Sequence, residues 1–337
     1  MPAAMASIPA GSTVLVTGAT GFTGVVLTRK LVSAGLSVRA IARKTSNTDA
    51  LSDLEIDWIR GDVFDPDLVR GAMDGVEYVF HLATSYREAK STRDIYHKVH
   101  VESTRLLAEA ARLNPAFKRF VHTSTIGVYG HIEGEPANET HPFRPGDEYQ
   151  ETKAEADRWI REFSARHGMP CTVIRPAGIF GPTDRRLFKL FKMASRRLFP
   201  LIGFGKCFYH LIHVDDLADA MILSATHPDA DGQAFIIGNS EPIPLAEIAR
   251  VIAGELGHTV HVIRAPAFPF FLLAGICECV CRPLGIEPPI YRRRVAFFTK
   301  DRIFNTSKMQ SVLGFTPRSN KEGIVATARW YRNEGWI

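Results

Sequence analysis

VLVTGATGFTGVVLTRKLVSAG, residues 14–35, is the stretch whose reading decides the fold. An apolar run from Val14 to Val16 meets a glycine-rich turn and then apolar residues at helical spacing, so the segment reads strand, turn, helix. Gly18 permits the tight turn, Gly21 lets backbone approach a pyrophosphate, and Gly24 allows the helix to pack closely on the strand. The amides of Thr20, Gly21, Phe22, Thr23 and Gly24 open that helix, where N–H groups without intrahelical partners and the helix dipole favour a phosphate. The spacing is GxxGxxG, not the GxGxxG of the older dinucleotide fingerprint.

Apolar runs downstream end repeatedly in small or polar residues. IDWIRGDV reaches Asp62, EYVFHLAT reaches His81-Leu82-Ala83, RFVHTSTIGVYG reaches Thr125 and CTVIRPAGIFGP reaches Pro176. Helical patterns separate them over 67–73, 92–113 and 149–166. Such alternation builds a parallel sheet covered by helices on both faces, an α/β, Rossmann-type, doubly wound fold. Ligands bind at the carboxyl ends of such strands. That places Asp62 and the Val63 backbone at an adenine amino group, and Leu82-Ala83 against the adenosine-ribose side. The sheet also needs the run from Gln233 to Ile237, so two lobes interleave. Residues 12–180 and 211–240 make the dinucleotide-binding domain, and 181–210 with 241–337 the smaller substrate-binding lobe. MPAAMASIPAG, residues 1–11, lacks the basic start and long apolar core of a signal peptide and reads as a loose tail.

Tyr149 and Lys153 stand four apart on one predicted helix, downstream of the Ser124-Thr125 pair. Residues at that spacing share a face, so the Lys153 ammonium can lie near the Tyr149 hydroxyl. A phenol that works as a base near neutrality must fall ~3 units from ~10, or ~4 kcal/mol. A unit charge ~5 Å away at an effective dielectric of ~20 supplies roughly 3 kcal/mol. Thr125 or Ser124 would hold a substrate oxygen in line for proton transfer to Tyr149.

In chain order, TGATGFTG, GDV, HLA, STIGVYG, YQETK, RPAGIFGP, HVDDLADA and SKMQSVLGFTP resemble an extended short-chain dehydrogenase/reductase of the NAD-dependent epimerase/dehydratase superfamily. The resemblance implies that Thr125 contacts the substrate, with Ser124 its neighbour and substitute. It implies that Tyr149 is the acid/base and that Lys153 also holds nicotinamide ribose. Pro176 and Ile179 are implied as further cofactor contacts, and a homodimer through the 92–113 and 149–166 helices. His213, Asp215 and Asp216 are implied to be structural, at the lobe junction.

Departures from that pattern bear on what is made. SVRAIARKTSN puts Ala42 where an acidic residue usually binds the ribose hydroxyls, and Arg43 and Lys44 follow. An arginine suits a 2'-phosphate, which favours NADP(H), with NAD(H) as the alternative. His100 stands where the family often has asparagine, and a packed or solvent-facing histidine is the default. Tyr209 occupies the place of an arginine that clamps a sugar nucleotide's diphosphate; Arg292, Arg293 and Arg294 are the candidates to replace it. Ile126 and Gly127 follow Thr125 where sugar dehydratases carry an acidic pair, which disfavours dehydration.

Apolar side chains replace those polar groups. PAFPFFLLAGICECVC, residues 266–281, is too short to span a bilayer, which needs ~20 apolar residues, and Glu278 interrupts it. It reads as a buried helix of the second lobe or as the lining of a pocket for a lipid-like alcohol. DRRLFKLFKMASRRLF reads as an amphipathic helix with Leu187, Leu190, Phe191, Ala194 and Leu198 on one face and basic residues around the other, able to rest on an anionic membrane. The net charge of +5 comes without the basic tracts of a nucleic-acid binder. Five cysteines, Cys171, Cys207, Cys277, Cys279 and Cys281, lack zinc-type spacing; no metal is expected, and a reduced, cytoplasmic setting is.

The leading expectation is hydride transfer between a nicotinamide and a secondary alcohol or ketone on an apolar, sterol-like or polycyclic substrate, similar to the 3β-hydroxysteroid dehydrogenase branch. A nucleotide-sugar 4-epimerase is the alternative. A dinucleotide-sensing binding protein that lost turnover is the third reading, and the Tyr149-Lys153 pair argues against it.

Overall fold

Six apolar runs between residues 13 and 176 become neighbouring parallel strands: β1 (Thr13–Thr17), β2 (Ser37–Ala42), β3 (Asp57–Arg60), β4 (Tyr78–His81), β5 (Arg119–Thr123) and β6 (Cys171–Pro176). The computed structural model describes residues 7–85, 92–132, 134–204, 207–281, 286, 288–290, 292, 295 and 302–337. Four short strands follow β6 in the chain outside this sheet: β7 (Gly178–Phe180), β8 (Leu198–Ile202), β9 (Phe208–Tyr209) and β10 (Leu211–His213). Then β11 (Ala234–Ile237) completes the sheet, whose order is β3-β2-β1-β4-β5-β6-β11. β1, β4, β6 and β11 are buried along nearly their whole length, so they read as continuous apolar runs and not as alternating ones. From β1 the chain builds outward first toward β3 and then, from β4, the other way. The carboxyl ends of β1 and β4, where Thr17 lies opposite His81, therefore flank the topological switch.

Helices α1 (Phe22–Ser33), α2 (Pro66–Ala72), α3 (Arg93–His97), α4 (Ser103–Leu113), α5 (Glu148–His167), α6 (Phe188–Ala194), α7 (Val214–Thr226), α8 (Leu245–Glu255) and α9 (Ala267–Cys281) follow in chain order, with two more at Ser307–Leu313 and Asn320–Asn333. Leu27 and Leu31 of α1 meet Leu217 and Met221 of α7 on one face of the sheet. Val69, Leu107 and Ile160, from α2, α4 and α5, cover the other. A second core packs Phe191, Phe199 and Leu201 on Ile248, Ile252, Ile324 and Tyr331. One ribbon pairs β8 with β13 (His261–Ala265), while β12 (Ile243–Pro244) pairs with β9.

Four details differ from the sequence reading. The helix expected over 92–113 is interrupted by a π turn at Lys98–Glu102. There the Ser103 hydroxyl donates to the Val99 carbonyl (2.5 Å) and Thr104 to that of His100 (2.6 Å), side-chain bonds that compete with regular helix. The amphipathic helix expected through Leu198 ends at Ala194; Leu198 opens β8 and is exposed. The apolar run does form α9, yet only Ala274 and Gly275 of it are buried, so it is no core helix. Within the stretch expected to be loose, Ile8 lies in the core and the Gly11 amide donates to the Gly35 carbonyl (2.9 Å).

Candidate active site

Gly18 turns with φ +75° and lies so close to β4's continuation that a Cβ there would meet the Ala83 nitrogen at 2.9 Å. A Cβ on Gly24 would run into the Gly18 carbonyl oxygen. Neither position accepts a side chain, for the two reasons anticipated: backbone conformation at one, and helix-on-strand approach at the other. Gly21 caps α1 without a side-chain hydrogen bond, and the first turn carries no acid, so Thr20, Phe22 and Thr23 border amides that no side chain caps. This cradle fits a pyrophosphate by its shape and by its donor set.

Beneath the turn runs a buried line of hydrogen bonds. The Ala83 amide donates to Thr17 Oγ1 (3.2 Å), whose own proton is left for His81 Nδ1 (2.7 Å). Thr104 spends its proton on the His100 carbonyl, so at 3.0 Å it accepts from His81 Nε2. These neighbours assign the tautomer. Burial holds the ring well below the ordinary imidazole range, and it stays neutral.

His100, in the π turn, is fully buried and packed, not solvent-facing. Thr152 Oγ1 donates to the Glu148 carbonyl (2.9 Å), so it accepts from His100 Nδ1 (2.8 Å), and His100 Nε2 accepts from Thr84 Oγ1 (2.9 Å). Burial, with the Lys153 charge second, pushes His100 down to about 2. The neutral ring stands edge-on to Tyr149, 5.3 Å between centroids, and stacks on Tyr96 at 5.7 Å. It thus braces the tyrosine from the side.

Asp147 caps α5 by accepting from the Gln150 amide (2.8 Å), which puts Tyr149 in the first turn, half-buried, and Lys153 one turn below it. Lys153 donates to the Thr123 carbonyl at 3.0 Å, tying the helix to the end of β5 just before Ser124-Thr125. Burial pulls this lysine down to about 8. Of the two hydroxyls, Ser124 is 3% exposed, whereas Thr125 is half-buried and accepts from the Gly127 amide (3.0 Å) while keeping its own proton to donate. Thr125, Tyr149 and Lys153 are therefore gathered at one strand end.

Other predicted positions lie within or just beyond strands. Arg43 and Asp62, with Val63, follow the ends of β2 and β3; Leu82 and Ala83 follow β4; Pro176 ends β6, and Ile179 lies in β7. Arg175, beside Pro176, is wholly buried and forks onto Asp157 at 2.7 and 2.9 Å. Its charge persists although burial opposes it, because the bonds to Asp157 outweigh that effect. His213 caps α7 and Asp216 binds Arg318 at 3.0 Å, so both are occupied structurally at the lobe junction.

Two cations arrive that the linear pattern did not reveal. Arg186 lies over the Phe22 ring at 5.1 Å, donates to the Ile179 carbonyl (3.1 Å) and binds Asp184 (2.8 Å), so it stands beside the glycine turn. Arg302 sits 5.5 Å from the centroid of Tyr209, where sequence offered no cation. Arg292 instead faces Glu278 of α9, and Arg293 and Arg294 lie outside the described residues. Among the described residues no group of three or more His, Cys, Asp or Glu could hold a metal ion.

The model of the NAD-dependent epimerase/dehydratase family matches residues 14–238. The chain is 34% identical over 331 residues, 90% of its length and 86% of the other's, to the 3 beta-hydroxysteroid dehydrogenase/Delta 5→4-isomerase of Mycobacterium tuberculosis. It is 30% identical to sterol demethylase protein B of Methylococcus capsulatus, covering 96% of this chain and all of that one. The crystal structure of gox2253 superimposes with a TM-score of 0.80 at 26% identity, over 97% of this chain and 100% of the other.

Proposed function

The chain belongs to the NAD-dependent epimerase/dehydratase family, and from that premise we propose that it moves hydride between a nicotinamide and a secondary alcohol or ketone on a sterol-like or polycyclic substrate. The observation that supports the reading is the Lys153 bond to the Thr123 carbonyl, which ties the helix carrying Tyr149 to the end of β5 just before Thr125. When bound, the nicotinamide accepts or returns the hydride. Thr125 donates its free proton to the substrate oxygen and orients it. Tyr149 takes the hydroxyl proton during oxidation and gives it back during reduction. The Lys153 ammonium stabilises the phenolate in a setting with little water, where a charge acts strongly. Gly18 to Gly24 and the neighbouring Arg186 hold the pyrophosphate, with Asp62 and Val63 at the adenine, Leu82 and Ala83 along the adenosine, and Pro176 and Ile179 on the nicotinamide side. Arg43 favours NADP(H) over NAD(H), since the strand end offers a guanidinium and no carboxylate. A homodimer through α4 and α5 belongs to the same proposal.

The likeness to two sterol-acting proteins supports the apolar substrate. Arg302 beside Tyr209 favours a second reading, a nucleotide-sugar 4-epimerase, because a diphosphate needs charge-assisted donors. Reduction of added NADP+ or NAD+ in step with a 3β-hydroxysterol is the expected result. Interconversion of nucleotide sugars by a retained dinucleotide, with no net reduction, would replace the first reading by the second.

A further inference from the structure

Nine of the eleven large apolar side chains exposed among the described residues fall in two stretches, 198–204 and 263–286; Ile95 and Leu113 are the two elsewhere. The stretches meet in space. β8 and β13 run side by side with Pro200 beside Ile263 and Ile202 beside Ala265, and the Gly203 amide donates to the Ala265 carbonyl (2.7 Å). Phe204, 70% exposed, therefore leaves the ribbon at the end where α9 begins, and Phe268 at the start of α9 is 75% exposed. Along α9, Phe268, Leu272, Ile276 and Val280 recur every fourth residue and are all at least half exposed, so they form one apolar stripe. An exposed apolar surface of this extent marks an interaction site.

Its margin is basic. Residues 189–204 and 258–281 together contain five Lys or Arg and one acid, Glu278, which faces Arg292. Lys189, Lys192, Arg196 and Arg197 are exposed just before the ribbon. A second copy placed on this surface would bring two cationic margins together, whereas anionic headgroups would neutralise the margin as the stripe entered the acyl boundary. Among the described residues no helix is long and apolar enough to cross a membrane. At 15 residues, α9 is about 22 Å long, which suits it to lie in the interface plane.

We propose that α9 and the β8/β13 ribbon dock the protein on an anionic lipid bilayer, the apolar stripe inserted and Arg196 and Arg197 at the headgroups. The inference rests on surface chemistry and stands apart from the reaction at Tyr149. Co-sedimentation with vesicles of phosphatidylcholine, alone or mixed equally with phosphatidylglycerol, tests it with the full chain. Binding is expected on the mixed vesicles, weaker on phosphatidylcholine alone, and reduced by salt. Arg196→Ala/Arg197→Ala should weaken it roughly thirtyfold, at about fivefold for each cation. Leu272→Glu/Ile276→Glu should weaken it at least as much, with unchanged thermal melting because both side chains already face out. Absence of binding to the mixed vesicles overturns the proposal. So does binding that neither double variant reduces, or a wild-type dimer in solution that Leu272→Glu/Ile276→Glu dissociates.

Discussion

Substituting Lys153→Met is expected to raise stability at neutral pH while removing turnover. Lys153 is 3% exposed, and burial lowers it from 10.5 to about 8. Holding the ammonium in the fold at pH 7 therefore destabilises the protein by about 3 kcal/mol, since each tenfold change in proton affinity is worth about 1.4 kcal/mol. Methionine removes that cost but also removes the bond to the Thr123 carbonyl, an offset of about 1–2 kcal/mol. The net gain below pH 8 is about 1–2 kcal/mol. Its pH dependence is the sharper signature. Between about 8 and 10.5 the unfolded chain holds a proton that the folded lysine has lost, so wild-type stability rises with pH across that window. The difference between variant and wild type should move by about 3 kcal/mol in favour of wild type over the same window. Urea unfolding of both proteins at several pH values reads this directly. A variant less stable than wild type at pH 7, or a difference that stays flat from 8 to 10.5, would refute the reasoning.

Tyr149→Phe should lower turnover about 10²–10⁴-fold while leaving dinucleotide affinity within about twofold, measured by steady-state kinetics and calorimetric titration. Asp157→Ala leaves the Arg175 guanidinium buried without its carboxylate and should destabilise the fold by about 3–5 kcal/mol in urea titrations. Gly24→Ala drives a methyl into the Gly18 carbonyl and should abolish dinucleotide binding; an alanine variant that binds normally would show that the turn holds no pyrophosphate. Arg43→Ala should weaken NADP(H) by about tenfold while sparing NAD(H), in keeping with one lost charge-assisted contact to phosphate.

The nucleotide-binding half was legible because its signals are local. Gly18 and Gly24 answer to contacts within a few residues or with the adjoining strand, and buried parallel strands write themselves as apolar runs. Tyr149 and Lys153 needed only helical spacing and an N-cap. His100 was visible as a residue out of pattern, but its role as a brace depended on Thr84 and Thr152, brought from 16 residues before and 52 after. The π turn was hidden because it arises where side-chain hydroxyls compete for helical carbonyls, a choice that no apolar periodicity records.

From sequence alone came the main strands and helices of the nucleotide-binding half, the glycine cradle and the paired tyrosine and lysine, all set by spacing along the chain. Tertiary structure decided which cations meet these rings, Arg186 over Phe22 and Arg302 at Tyr209, because those meetings join segments distant in the chain. It also decided the fate of the apolar run at 266–281. Hydrophobicity states that a surface avoids water but not what covers it, and here α9 turns most of its apolar side chains outward.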